Sequence, residues 1–154
     1  MTGPQTLTIS GNFENLAHIA DFVTQAAAGA GLDDKAVYAV QMAVDEACTN
    51  IIEHAYGGEG NGSIQIVCAA QPAGLQITLI DQGHPFNPDQ VAAFDPAAPL
   101  SERKRRGMGM FFIYKMIDAV DYQFDTPQGN QLTLFKKAEN EFDKSSAADS
   151  TGPF

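Results

Sequence analysis

A carboxylate and an amide lie one helical turn apart in the most strongly periodic segment of the chain. The segment from about Lys35 to Tyr56 has the apolar period of an amphipathic helix, so Glu46 and Asn50 lie on the same side. A carboxylate can accept a proton from a nucleophile, and an amide oxygen can ligate Mg²⁺. Both lie at the edge of the apolar stripe, which is compatible with a cleft, although spacing alone favours a partly solvated helix edge. Thr49, further round the helix, is close enough to reach a phosphate.

Two glycine segments could contribute to a nucleotide site. Asp81 ends an apolar run, where its carboxylate can accept a hydrogen bond from an exocyclic amine, and Gly83 lets a flat ring approach the backbone. An ordinary Asp-x-Gly turn is the alternative interpretation. Gly107, Met108 and Gly109 precede a predicted helix, whose first N–H groups would favour phosphate.

Four cationic residues come directly before this second glycine segment. Residues 103–106 read Arg-Lys-Arg-Arg, in a chain of 154 residues whose formal net charge is −10. A run of charge is usually a solvated face, but beside a candidate phosphate site a phosphate-clamping role is equally plausible. The negative net charge argues against non-specific binding of nucleic acid.

The elements that must position these residues follow an α+β order. We predict a strand over 6–10, helices over 13–30 and 35–56, strands over 64–69 and 75–81, a helix over 108–119 and a closing hairpin over 120–125 and 131–136. Asn12 and either Asp33 or Asp34 are candidate N-caps of the first two helices. This order predicts a two-layer sandwich in which helices cover one face of a mixed sheet.

The rest of the chain sets the context for this domain. Prolines break helix and strand between residues 84 and 106, so we predict a lid or binding loop there. Cys48 and Cys68 lie in apolar runs and are interpreted as buried thiols, as in a reducing cytosol. We expect no signal peptide and no membrane span. Residues 1–138 are predicted to form one domain, and 139–154 a disordered tail.

Taken in order, the motifs resemble those of a known superfamily. Residues 44–56 resemble the N-box of the GHKL ATPases, residues 81–88 their first glycine box and residues 105–109 their second. The Glu-Ala-x-x-Asn form of the N-box and the proline after the first glycine box are similar to the anti-sigma-factor serine/threonine kinases. The resemblance covers about residues 5–137 and implies the Bergerat sandwich fold.

The resemblance also implies a role for each matching residue. Glu46 matches the family's catalytic base, Asn50 its Mg²⁺ ligand, and Arg105 a lid arginine that approaches the terminal phosphate of ATP. Asp81 matches the residue that reads the adenine amino group, and Gly83 matches the glycine that backs the adenine. The remaining nucleotide contacts would come from Thr49, Gly107, Met108 and Gly109.

By the same resemblance, the chain is expected to be a cytoplasmic protein kinase that depends on ATP and Mg²⁺. Members phosphorylate a serine or threonine of a STAS-domain anti-anti-sigma protein, sequester a sigma factor in another state, and are commonly homodimers. Three alternatives remain open: an ATP-binding switch without turnover, a kinase with a target other than sigma, and a histidine-kinase catalytic domain. The last is disfavoured because no helical hairpin with a phospho-acceptor histidine precedes the first strand.

The sequence departs from the family pattern on the adenine side. Pro85 stands where the wider superfamily often has a second glycine, and Gly129-Asn130 replaces the common Gly-Thr near the last strand. The second change puts one adenine-side contact in doubt, and Thr133 is not an evident substitute. The cluster of cations in the lid is also richer than the pattern predicts.

Overall fold

The computed structural model describes residues 3–86 and 113–138. In these residues a first strand precedes two helices and two hairpins, in the predicted order. The elements are β1 (Gln5–Ser10), α1 (Leu16–Gly29), α2 (Asp34–Asn50), β2 (Ser63–Gln71), β3 (Gly74–Asp81), β4 (Ala119–Thr126) and β5 (Gly129–Lys137). The predicted α+β class is therefore confirmed.

The strands form one sheet in the order β1-β2-β3-β5-β4, and every described pair is antiparallel. The prediction of a mixed sheet was wrong for this part of the chain. The physical reason is the way the second hairpin docks. β5 inserts between β3 and β4 and runs antiparallel to both, so β4 takes the sheet edge.

Alternating side chains of the sheet face the two helices and form a single core with them. In the register, Ile66, Leu79 and Leu132 are neighbours across three strands, and all three are buried. The predicted apolar stripe of α2 packs on this face of the sheet. Its residues Val40, Val44 and Ala47 are buried in the core, and Val37 is partly buried against it. Both cysteines lie in the core as predicted. Burial raises the pKa of each thiol, that of Cys68 to about 12, so both stay protonated.

The ends of the helices agree with the sequence prediction at one cap and differ from it at other positions. Asp33 caps α2 as predicted, since its carboxylate accepts a hydrogen bond of 2.8 Å from the N–H of Ala36. Asn12 does not cap through its side chain, which instead accepts from the Ser10 hydroxyl, and the first helix opens with a 3₁₀ turn over Phe13–Asn15. α2 ends at Asn50 and continues as a π-helical turn, Ile51–Ala55, rather than as α-helix to Tyr56.

The helix predicted over 108–119 is described only at its C-terminal end. Residues 113–116 are helical, whereas Ala119 already belongs to β4, so the predicted end was too late. Lys136 stabilises this helix end, because its ammonium donates to the carbonyl of Met116 at 2.7 Å and approaches Asp118 at 3.7 Å. Within the described ranges, none of the helices has the length and apolar character to cross a membrane.

Candidate functional site

A pocket lies between the end of α2 and strands β3, β4 and β5. It is small and partly open, with about 290 Å³ of empty space that includes its open mouth. Two polar side chains, Asn50 and Asp81, line it. The other lining residues are apolar or aromatic: Ala47, Ile51, Phe86, Tyr122 and Leu132. A flat apolar ring with a few polar edge atoms matches this combination.

Asp81 is held in place by the register of the sheet. Ile64 and Asn130 are its direct neighbours on β2 and β5, and the Asp81 side chain is buried. Its Oδ1 accepts from the N–H of Gly83 at 2.9 Å and from Asn130 Nδ2 at 3.0 Å. Within the described residues both hydrogen bonds end on Oδ1, so Oδ2 is available to accept from a ligand.

The charge state of Asp81 is a balance of burial and hydrogen bonding. Burial raises the pKa of this carboxyl above its ordinary value, while the donors Asn130 and Gly83 act in the opposite direction. Burial is the larger effect. Asp81 is therefore a partly desolvated acceptor, which makes its interaction with a donor stronger than in water.

Gly83 packs so closely against the end of the π-helical turn that there is no room for a side chain. A Cβ at this position would lie 2.4 Å from the carbonyl oxygen of Ala55 and 2.8 Å from its Cβ. The next N–H, that of His84, donates to the same carbonyl at 2.8 Å. The segment after β3 is thus fastened to the end of the π-helical turn. The role predicted for Gly83 at the adenine stays a prediction.

We predict that Gly83→Ala lowers the free energy of unfolding by about 1–3 kcal/mol, because the added methyl group overlaps backbone atoms that cannot move freely. Urea unfolding measures the change. Gly29→Ala is the matched control, since nothing lies within 4 Å of its added Cβ at the end of α1. That control should be neutral or stabilising by up to about 1 kcal/mol. Equal effects of the two substitutions would remove the packing explanation.

Tyr56 is a structural part of the site that the sequence did not indicate. Its hydroxyl donates to the carbonyl of Ser63 at 2.6 Å and accepts from the N–H of Gln82 at 2.8 Å. Burial raises the pKa of this phenol, so it remains a neutral donor. The tyrosine therefore ties β2 to the residue between Asp81 and Gly83. These two hydrogen bonds could not be predicted from the sequence, because they depend on the pairing of β2 with β3.

The predicted N-box residues occupy different positions relative to the pocket. Asn50 is buried and lines it, which agrees with the expected cleft position. Glu46 lies one turn earlier, half-buried with Oε1 inaccessible to solvent, and is not part of the lining. Thr49 is also half-buried, but its hydroxyl donates to the backbone carbonyl of Asp45 at 2.9 Å. Asn50 and Asp81 are thus the two predicted site residues that the structure places in one pocket.

The remaining predicted contacts lie outside the described residues. These are Arg105, Gly107, Met108 and Gly109, together with the cationic run 103–106 and most of the predicted lid. The phosphate side of the site therefore stays a prediction from the sequence.

The described residues do not form a cage of metal ligands. Among residues 3–86 and 113–138, no three His, Cys, Asp or Glu side chains cluster to hold an ion. Asn50, which is buried, lines the pocket and carries a side-chain amide. This donor set fits Mg²⁺, which usually keeps several waters and takes its other ligands from substrate phosphates rather than from a protein cage.

Comparison with known protein families decides the class of the domain. A family model described as a histidine kinase-like ATPase domain matches residues 9–136, most of the chain. The chain belongs to this family. The resemblance to the GHKL ATPases is therefore confirmed, and the two-layer fold is the one the family predicts.

Several curated proteins named as serine-protein kinases are similar to this chain. The chain is 26% identical to the serine-protein kinase RsbW of Bacillus velezensis over 65% of each chain. It is 30% identical to the RsbW of Bacillus mycoides over 66% of this chain and 64% of that protein. A third RsbW, from Halalkalibacterium halodurans, is 29% identical over 62% and 60% of the two chains. The matches span less than two thirds of these relatives' own lengths.

A solved structure supports the fold independently. The crystal structure of the RsbU and RsbW domains of Rv1364c from Mycobacterium tuberculosis superposes with a TM-score of 0.59, covering 88% of this chain and 32% of that one. Because the sequences are 16% identical, this likeness concerns the fold alone.

Proposed function

We propose that this protein is an ATP- and Mg²⁺-dependent serine/threonine protein kinase that acts as an anti-sigma factor. The observation that carries the proposal is the pocket that Asp81 and Asn50 line among apolar side chains, where Asp81 Oδ2 has no hydrogen-bond partner among the described residues. The names of the curated relatives support the kinase assignment.

The described residues supply the adenine side of this site. The apolar lining would contact both faces of the base and exclude water from its edge. Asp81 Oδ2 would accept a hydrogen bond from the exocyclic amine, and the donors on Oδ1 keep the carboxylate oriented for it. The amide oxygen of Asn50 would hold Mg²⁺, which neutralises phosphate charge when bound.

The transfer itself needs residues on both sides of the phosphates. Glu46 would accept the proton of the substrate hydroxyl, and Arg105 would offset charge on the terminal phosphate. The backbone at Gly107, Met108 and Gly109, with Thr49, would hold the phosphate chain. The proposed partners are a STAS-domain anti-anti-sigma protein, which carries the acceptor serine or threonine, and a sigma factor. We propose a cytoplasmic homodimer without direct contact to nucleic acid or membrane.

Calorimetric titration with ADP, with and without Mg²⁺, tests nucleotide binding. We expect saturable binding that weakens when the metal is chelated, because the amide of Asn50 contributes through the ion. GDP is the control ligand, since its base presents a carbonyl where adenine presents an amine, and it should bind much less tightly. Equal affinity for ADP and GDP would contradict the proposed role of the pocket. Tight ADP binding without transfer to any STAS protein would favour a regulatory switch that has no kinase turnover.

A further inference from the structure

Asn130 makes three hydrogen bonds that tie two loops to the pocket. Its Nδ2 donates to Asp81 Oδ1 at 3.0 Å and to the carbonyl of Gly83 at 2.9 Å. Its Oδ1 accepts from the N–H of Asp125 at 3.2 Å. The side chain is 6% exposed, so these bonds form away from water. Both amide hydrogens and the amide oxygen are used, which fixes the orientation of the group.

The first bond determines how Asp81 is presented to a ligand. Together with the N–H of Gly83, it places two donors on Oδ1, and two donors on one oxygen favour the ionised carboxylate against burial. An ionised carboxylate only accepts hydrogen bonds. The other oxygen of Asp81, Oδ2, therefore favours a ligand that presents a donor, such as the exocyclic amine of adenine. A base that presents a carbonyl at this position is disfavoured.

The other two bonds hold Asn130 itself. Asp125 has a positive φ of 53° beside an irregularity in the pairing of β4 with β5, and its N–H points to the Asn130 amide. The carbonyl of Gly83 takes the second amide hydrogen. A threonine, the residue common at this position in the resembled family, has a single O–H and cannot donate to Asp81 and Gly83 at once. Asn130 therefore holds the Asp81 carboxylate and the Gly83 carbonyl together, which a threonine at this position could not do.

We propose that Asn130 is the positioning residue that sets the preference of this site for adenine, by holding Asp81 as an oriented, ionised acceptor for the 6-amino group. The inference rests on the proposed nucleotide-binding function. It goes beyond that function because it assigns base selectivity to a residue that acts through Asp81.

A double comparison of protein and ligand tests this role. ADP and purine riboside diphosphate, which lacks only the 6-amino group, are titrated against the wild-type protein and Asn130→Thr. The wild type should prefer ADP. The substitution should lower ADP affinity by about tenfold, the effect of one well-formed hydrogen bond to a charged group, and change the affinity for purine riboside diphosphate by much less. Thermal unfolding of the variant checks that it is folded.

Asn130→Asp, which has the same shape, gives a second readout through pH. It sets a carboxyl group against Asp81 Oδ1, and two such groups bind a shared proton. The phenol of Tyr56, at the end of the π-helical turn, is the titratable group among the described residues that interacts with Asp81. Burial raises the pKa of this phenol, so it stays neutral. ADP affinity of this variant should therefore rise as pH falls from neutral to mildly acidic, because the shared proton restores a donor to Asp81. Wild-type affinity should instead fall as pH falls, because burial raises the pKa of Asp81 and protonation removes the charge of this acceptor.

The outcomes separate the inference from the function on which it rests. Equal losses of affinity for both nucleotides in Asn130→Thr, or the wild-type direction of pH dependence in Asn130→Asp, would show a purely structural role and overturn the inference alone. If the wild type bound neither nucleotide, the proposed function would fail and the inference with it. If Asn130→Thr failed to fold, the pH comparison with Asn130→Asp would still decide the inference.

Discussion

Replacing Glu46 by glutamine is expected to slow phosphoryl transfer to a protein substrate by about 10²–10⁴, the usual contribution of a general base. The substitution keeps the shape of a half-buried side chain on α2 and removes its ability to accept a proton. Because Glu46 lies outside the lining of the base pocket, ADP affinity should change little. A loss confined to the transfer rate is the signature of an interaction made in the transition state. Single-turnover transfer, run alongside ADP titration, measures both.

Asn50→Ala is the matched comparison on the same face of α2, one turn further on. It removes the amide proposed to hold Mg²⁺, so nucleotide affinity in the presence of Mg²⁺ and transfer rate should fall together. Asn50 is buried, so thermal unfolding of this variant is needed beside the titration. If the Glu46→Gln variant transferred phosphate at the wild-type rate, Glu46 would be excluded as the base.

Asp81→Asn is expected to lower ADP affinity by about tenfold to a hundredfold, since an acceptor facing the adenine amine is exchanged for a group that can present a donor. The introduced amide oxygen can still accept from Gly83 and from Asn130, so the internal hydrogen bonds need not be lost. The fold should therefore keep its stability while binding fails. Calorimetry and urea unfolding on the same samples measure the two effects.

The sign of the stability change follows from the raised pKa of Asp81. A carboxyl whose pKa is higher in the folded than in the unfolded state makes folding less favourable when it is ionised. That cost is present at neutral pH and is relieved as pH falls through the folded pKa. Asp81→Asn should thus be neutral or stabilising at neutral pH, and its advantage should shrink in acid. A marked loss of stability would show that Asp81 serves the fold rather than a ligand.

Asp121→Asn is the control for that experiment. Asp121 is an exposed carboxylate on β4 of the same sheet, outside the pocket lining, and its Oδ2 accepts from Gln123 Nε2 at 3.3 Å. Both substitutions remove one negative charge from an acidic protein. Only Asp81→Asn should change ADP affinity. Equal effects would point to the net charge of the chain instead of the pocket.

Local sequence signals predicted the elements and the residues whose role depends on one element. The Asp33 cap, the apolar stripe of α2 and the hairpin turn at residues 71–74 each arise within a few residues of the chain, and all are present. The placement of Glu46 and Asn50 one turn apart on α2 likewise follows from helical spacing. The π-helical end of α2 gave no such signal, because the apolar period continues through Ile51 and Ile52 into it.

Contacts between distant parts of the chain could not be predicted in this way. Asn130 is 49 residues from Asp81, and it reaches the carboxylate only because β5 inserts beside β3. Periodicity does not encode the order of strands in a sheet, which is also why the antiparallel arrangement was missed. The loss of the Gly-Thr pattern was visible in the sequence, but the replacement contact was not.

Transfer of label from γ-labelled ATP to a STAS-domain protein of the same organism tests the central proposal most directly. With Mg²⁺, the account predicts that the wild-type protein places label on a serine or threonine, as an acid-stable phosphoester. Glu46→Gln should bind ADP normally and transfer label about 10²–10⁴ times more slowly. The account would be contradicted if wild-type protein that binds ADP tightly labelled none of these STAS proteins, or if the label were acid-labile as on histidine.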